Sequence, residues 1–325
     1  MSTKTVSRVF NDQPNVSEEV RRRVRAAALE LDYHPNVLAQ ALVRRRSHLI
    51  GLVYENPSPS YVVELQRGVL ERLKHGPYRL VVIPVASIVD RADEIVGLLR
   101  STALDGVVLA PPASDNLKIL AGLDSAGIRF GRIAPTQVLE AGPSNTLDDV
   151  AASKEIAEHL IGLGHRSFAI ILGDPTHSAS AARTWGYEAA LTAAGIVVPP
   201  HYIEQGFFTR ESGFAAAQRI FDNGLRPTAI LAQNDDMAVG AMMAARERGL
   251  NAPEDLSVVG FDDSEVSRIT WPTITTIRQP VFEMAASAAD MVINQLEGID
   301  FPQIRDHEHQ LLVRSSSGPP PASGG

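Results

Sequence analysis

Two doubly wound parallel-sheet α/β lobes behind a small all-helical N-terminal segment are the architecture this sequence predicts. Three observations predict it. From His48 onward, apolar runs of four to six residues alternate with amphipathic helical stretches, the pattern of buried parallel strands joined by crossover helices. That alternation comes in two successive series, which implies two similar lobes, and 325 residues are enough for both. Before residue 48 the periodicity is helical only, with arginines clustered between the apolar positions.

The N-terminal segment opens on Ser2-Thr3-Lys4-Thr5-Val6-Ser7-Arg8-Val9-Phe10-Asn11. Ser2 is placed to cap a short helix whose apolar face is Val6, Val9 and Phe10. Thr3, Lys4, Ser7 and Arg8 then point outward, and small hydroxyls beside Lys and Arg suit base edges and phosphates in a major groove. A second helix follows Ser17, with Glu18 and Glu19 at its positive end and Val20, Val24, Ala27, Ala28 and Leu31 at helical spacing. Pro35 stops it. A short apolar stretch, 36–43, then leads into Arg44-Arg45-Arg46.

Charge is divided along the chain. Residues 1–48 carry nine Lys/Arg and five acids, net +4, and the remainder carries 21 against 33, net −12. A basic end on an acidic body implies a polyanionic partner at that end only.

In the body, Leu49–Tyr54, Leu80–Val85 and Gly106–Ala110 read as strands of the first lobe, separated by helices near 60–75, 90–101 and 115–126. Phe168–Gly173, Tyr202–Gly206, Ala229–Ala232 and Leu256–Phe261 form the second series. Ligands of such sheets sit outside the carboxyl ends of the strands. Polar candidates at those ends are Asp148 and Asp149, Asn234 and Asp235, and Asp262 and Asp263, with Arg183 in a helix starting near Ala179 and Gln279 before Pro280. Within each adjacent pair one residue is expected to cap a helix or shape a turn. Together they offer carboxylates, a guanidinium and amides, which match vicinal hydroxyls of a sugar, while Phe208, Tyr61 or Trp185 could supply an aromatic face. The Pro/Gly-rich stretch 316–325 is expected to be a disordered tail.

Several motifs taken in order resemble the LacI/GalR family of bacterial transcriptional regulators. They are Thr5-Val6-Ser7-Arg8-Val9-Phe10-Asn11, Leu31-Asp32-Tyr33-His34-Pro35-Asn36 and Ala39-Gln40-Ala41-Leu42 in the head. In the body they are Glu158 to Arg166, Gln233 to Ala241, Ser257 to Asp263, and Trp271 to Gln279. The resemblance covers nearly the whole chain. It implies a helix-turn-helix head, a hinge helix with a Leu wedge for the minor groove, and two periplasmic-binding-protein-like lobes. Carried onto this sequence, it implies DNA contacts by Thr3, Lys4, Ser7, Arg8, Asn36 and Leu42. It implies effector contacts by Asn56, Tyr61, Asp148, Arg183, Phe208, Asn234, Asp262 and Gln279. The loop Asn56-Pro57-Ser58-Pro59-Ser60-Tyr61 departs from the Asn-Pro-Phe-Phe common in the family, so it transfers least. Heads of the family begin roughly a dozen residues before this helix, so the first helix of the helix-turn-helix is expected to be missing here.

The expected organisation is a partial head and hinge at 1–47, an N-terminal effector-binding lobe at 48–159 plus 281–308, and a C-terminal lobe at 160–280 plus 309–315. The expected function is a sequence-specific DNA-binding regulator, a repressor, with operator DNA, a sugar-type effector and a second copy of itself as partners; some family members are tetramers. The alternative is an effector-binding protein that has lost DNA binding with part of its head. An enzyme is disfavoured: G-x-G-x-x-G, G-x-x-x-x-G-K-[ST] and G-x-S-x-G are all absent. With no cysteine, disulfides, thiolate metal sites and cysteine catalysis are excluded. His159 and His165, six apart, have the wrong spacing for helical metal ligands, so no metal and no cofactor are expected. No signal peptide and no membrane-length apolar run are present, which makes the cytoplasm the expected location.

Overall fold

The computed structural model describes residues 2–10, 14–33, 46–55, 58–224 and 226–321. Asn36, Leu42 and Asn56, with the whole hinge stretch 36–43 and the side chain of Thr3, lie outside the described residues. The chain divides into two units, Met1–His48 and Leu49–Gly325.

The first unit holds α1 (Thr3–Phe10) and α2 (Glu18–Glu30). Ser2 caps α1 as its position predicts, accepting from the Thr5 amide at 3.2 Å. Val9 and Val24 are buried, and the Phe10 and Tyr33 rings lie 5.8 Å apart. Lys4, Ser7 and Arg8 are exposed. Ser17 stands extended at the start of α2 but makes no side-chain cap, so the helix entry relies on Glu18 and Glu19.

The second unit begins with β1 (Leu49–Glu55), α3 (Pro59–Leu73), β2 (Arg79–Val85), α4 (Ile88–Ser101), β3 (Gly106–Leu109), α5 (Leu117–Ser125), β4 (Arg129–Ile133) and β5 (Ser144–Leu147). These strands form a parallel sheet whose other edge is β11 (Ile304–His307), in the order β11-β5-β4-β3-β1-β2. Both faces are covered, which is why its strands read as continuous apolar runs. Ile50 and Leu52 face Leu65, Val69, Ala285 and Val292, whereas Val53 faces Ile88, Ile95, Leu99 and Leu123. Each such side chain stabilises the fold by roughly 1.5–3 kcal/mol.

The second sheet is parallel, in the order β7-β6-β8-β9. Its elements run α6 (Asp149–Gly162), β6 (Phe168–Leu172), α7 (Ser178–Ala193), β7 (Ile203–Gln205), α8 (Arg210–Asp222), β8 (Ala229–Ala232), α9 (Asp235–Glu247) and β9 (Ser257–Val259). Phe168 and Ile170 point to the face covered by α6 and α7, and Ala169 and Ile171 to the face covered by α8 and α9. After α10 (Glu265–Ile269) and β10 (Thr276–Arg278), α11 (Val281–Glu297) returns to cover β3, β4 and α3. Finally β12 (Gln310–Leu312) pairs antiparallel with β10.

Two expectations need correction. Helix α6 packs along α7 on the second sheet, so the chain crosses between lobes at Leu147–Asp149 and not at 159. Gly186 allows that contact, because a Cβ there would lie 2.4 Å from the Val150 carbonyl oxygen. The stretch from residue 316 is also not a free tail as far as Pro321. Ser316 is buried and trades backbone bonds with Val258 and Thr273, each at 2.9 Å, while the Gly318 carbonyl lies 2.8 Å from His165 Nε2. Its composition offers little to a hydrophobic core, but its backbone and hydroxyl groups complete the polar partners of β9 and of the buried His165.

No helix among the described residues is long and apolar enough to cross a membrane. Deleting residues 316–325 should destabilise the second sheet by at least about 3 kcal/mol, since several buried donors and acceptors, among them those of Val258 and His165, lose their partners. Denaturant unfolding followed by circular dichroism measures this, and an unchanged midpoint would show that water replaces those bonds without loss.

Candidate functional site

Between the carboxyl ends of the two large sheets lies a buried cavity lined by Ser58, Tyr61, Pro111 and Ala134 from the first lobe. Asp149, His177, Ala179, Arg183, Phe208, Asn234, Asp262 and Gln279 complete it. The space open to the centre of a water-sized sphere is about 50 Å³, room for a few waters at roughly 10–15 Å³ each. A groove of about 530 Å³ on the same measure opens beside it, and its lining includes Glu64, Arg67, Asp263, Glu265, Arg268, Arg278 and Glu283. That groove is larger, but Arg67 and Arg278 there are exposed surface charges already paired with Glu64 and Glu283. The cavity is where charge is buried, and buried charge is the stronger sign of a binding site.

Arg183 stands at its centre. In the second turn of α7, Arg183 is 5% exposed, and its guanidinium donates from Nε to Asp149 Oδ1 at 2.9 Å and from Nη1 to the Gln233 carbonyl at 2.6 Å. Asp262 Oδ1 is 3.9 Å away, and the Phe261 ring lies flat beneath it at 3.7 Å. Burial opposes the Arg183 charge, yet Asp149 and Asp262 outweigh it and raise its pKa. Burial also pushes the Asp149 and Asp262 carboxyls upward, against the pull of Arg183.

The surrounding side chains are fixed by local structure. Asn234 caps α9 by accepting from Met237 N at 3.0 Å and donates to the Phe208 carbonyl at 3.0 Å. Phe208 sits in left-handed backbone (φ 58°), turned so that its ring meets His177 edge-on at 5.4 Å. Asp262 and Asp263 are left-handed as well (φ 117° and 56°). Asp262 accepts from Gln279 Nε2 at 2.6 Å, and Asp263 pairs with Arg314. Two cavity residues, Phe208 and Asp262, held in left-handed backbone are a mark of function over stability. Burial pulls His177 down to about 4, so its ring is neutral near pH 7.

Of the effector residues expected from the sequence, Tyr61, Arg183, Phe208, Asn234, Asp262 and Gln279 come together around this cavity. Asp148 does not. It is exposed and accepts from Ala151 N at 2.8 Å as the cap of α6, while the next residue, Asp149, turns inward to Arg183. Adjacent side chains at a helix start diverge, and sequence order alone cannot say which one caps. Trp185 is 63% exposed and does not reach the cavity. Sequence reasoning missed Ser58, Pro111, Ala134, His177 and Ala179. The position of His177 and Ala179 just after β6 was the available signal. Among the described residues no group of three or more His, Cys, Asp or Glu could hold a metal ion.

Two parallel-sheet lobes closing on a buried polar cavity, joined to a basic helical segment, are the parts of an effector-controlled DNA-binding regulator. A model of bacterial regulatory proteins of the lacI family matches residues 1–36, and a periplasmic binding protein-like domain matches 157–317. The HTH-type transcriptional regulator DegA of Bacillus subtilis is 32% identical over 288 residues, 88% of this chain and 85% of that one. The lac repressor dimer bound to operator and an anti-inducer superposes with a TM-score of 0.86 at 28% identity, over 98% of this chain and 96% of that one. A complex of the regulator CelR with cellobiose gives 0.76 at 29% identity with the same coverage. The chain belongs to the LacI family of bacterial regulatory proteins. It is a DNA-binding transcriptional regulator and not an enzyme.

Arg183→Ala should abolish effector binding and also lower stability by about 3–5 kcal/mol, because Asp149 is left buried without its partner. Calorimetric titration and thermal melts together check this, and a variant with normal affinity would remove Arg183 from the site. A second expectation concerns pH. The folded-state pKa of His177 is depressed, so its contribution is intact above about 6.5 and is lost as pH falls toward 4, by up to about 3 kcal/mol. His177→Asn should therefore make the acid loss of melting temperature between pH 7 and 4.5 shallower; an identical slope in the variant would show that other histidines account for it.

Proposed function

We propose that this protein is a repressor whose affinity for an operator is set by a sugar-type effector bound between its two lobes. The observation that carries this reading is the cavity itself, with Tyr61 from the first lobe and Arg183, Asn234 and Asp262 from the second facing one small space. A ligand that touches both lobes favours one of their relative orientations, and any group sensitive to that orientation is then coupled to it. The segment 36–43, resembling the family's hinge helix, is that group. Its contact with DNA, with Leu42 as the minor-groove wedge, is the step the effector controls. Lys4, Ser7 and Arg8, exposed on α1, with Thr3 beside them in sequence and Asn36 at the start of the hinge stretch, supply groove and phosphate contacts. Two half-sites call for two heads, so the working unit is a homodimer, acting in the cytoplasm where the chromosome is. The similar lac repressor is a dimer on its operator and the similar CelR holds a sugar, which supports the reading.

Selecting duplexes from a random DNA library with the purified protein tests it. A palindromic consensus should emerge, with an affinity that falls steeply with salt. Leu42→Ala should weaken binding to that consensus and reduce its bending, with effector affinity unchanged, since the wedge offsets the cost of unstacking a base step. A protein that enriches no sequence is an effector-binding protein without an operator. A Leu42 variant that bends DNA fully shows that this residue packs without inserting.

A further inference from the structure

The charges around the cavity, taken together, say which effectors it accepts. Among the described residues that line it, Arg183 is the only cation, and it faces two carboxylates, Asp149 and Asp262. Its guanidinium already holds a carboxylate, a backbone carbonyl and an aromatic face. His177 is buried, packs on Phe208 and carries no charge at neutral pH.

Besides the arginines of the adjoining groove, Arg67, Arg268 and Arg278, two further positive elements stand close by, and each of these two is occupied from within. The first is the N-terminus of α7, a 16-residue helix with no acidic residue in its first turn and no side-chain cap from His177. Such a terminus attracts an anion. Here the anion is the protein's own: Asp115 of the first lobe accepts the hydroxyl of Ser178, the first residue of the helix. The second is Arg132, fully buried, which donates to the carbonyls of Ser114 at 2.6 Å, Gln137 at 2.9 Å and Val138 at 2.9 Å, with Asp115 at 3.5 Å. The Asp115 carboxylate is held in place by the amides of Thr136 and Gln137. It therefore sets the protein's own negative charge at the start of α7, across the cleft from the second lobe.

What stays open is neutral. The Ser58 hydroxyl lines the cavity, is 3% exposed and lies against the Asp236 carboxyl. Pro111, Ala134, Ala179, Tyr61 and Phe208 supply apolar surface. Resting on the proposed function, we infer that the effector is an uncharged sugar, and that Asp115, by setting a carboxylate against Ser178 at the start of α7 from the opposite lobe, excludes sugar phosphates and sugar acids.

Calorimetric titration of the intact protein with neutral mono- and disaccharides, each followed by its phosphate and its carboxylate derivative, tests this. A neutral sugar should bind, and its anionic derivatives should be about 100-fold weaker or worse, because an added negative charge meets two carboxylates and, among the described residues lining the cavity, no cation besides the already paired Arg183. An anionic derivative that binds as tightly as its parent overturns the inference, as does a panel in which no neutral sugar binds. Asp115→Asn keeps the acceptor for Thr136 and Gln137 but removes the charge at α7. It should narrow the gap by about fivefold or more, and an unchanged gap in a variant with native circular dichroism removes Asp115 from the discrimination. Operator affinity is measured in the same samples. A neutral sugar that binds without changing it sinks the regulatory reading and leaves the charge selectivity standing.

Discussion

Arg183 brings a positive charge into the interior, and the second lobe is arranged so that Asp149 and the Gln233 carbonyl meet it there. An unpaired buried charge costs several kcal/mol, so three elements are tied to one another: α6 by Asp149, α7 by Arg183 and the end of β8 by Gln233. Gly186, one turn beyond Arg183, lets α6 and α7 approach closely enough for that pair. Gln233 extends the tie, accepting from the Gly173 amide at 2.7 Å and donating to the Ser180 carbonyl and the Thr184 hydroxyl. The loop after β6, the start of α7 and the strand end thereby share one polar network, and networks of this kind rigidify a site when every member is satisfied.

Rigidity on one side of the cleft gives motion on the other its meaning. The second lobe presents Arg183, Asn234 and Asp262 in fixed positions, while Ser58, Tyr61 and Asp115 arrive from the first lobe. The chain crosses between lobes more than once, at Leu147–Asp149 and again before α11, and the bridge between Asp262 and Arg278 lies beside the second crossing. Closure about such crossings is the hinge type of domain motion, in which a few terminal residues of elements absorb the change. The left-handed conformations of Asp262 and Asp263 lie at that point.

The head obeys different physics. It is basic where the body is acidic, and its described helices bury few residues, Val9 and Val24 among them. Small helices of this kind draw much of their stability from what they dock on. Electrostatics brings the basic end to DNA and keeps the acidic body away from it, so one chain carries a polyanion-binding surface and a cavity hostile to anions without conflict.

The sequence by itself determined the layered α/β architecture, because buried parallel strands must be apolar on both faces, and that signal is written locally in runs such as Leu49–Tyr54 and Ala229–Ala232. Its motifs also determined the family and six of the cavity residues. Tertiary structure alone decided that Asp149 and not Asp148 turns inward, since the two differ by a rotation about a helix start that composition does not record. It decided that α6 belongs to the second lobe, a matter of which neighbour fits Gly186. It placed Ser316 and Gly318 beside β9 and His165, where hydrogen bonding outweighs a composition that argues for disorder. It set Asp115 against α7, a contact between residues 63 positions apart. Each of these depends on partners distant in sequence, and no local pattern reports which distant group will satisfy a buried charge or an open helix end.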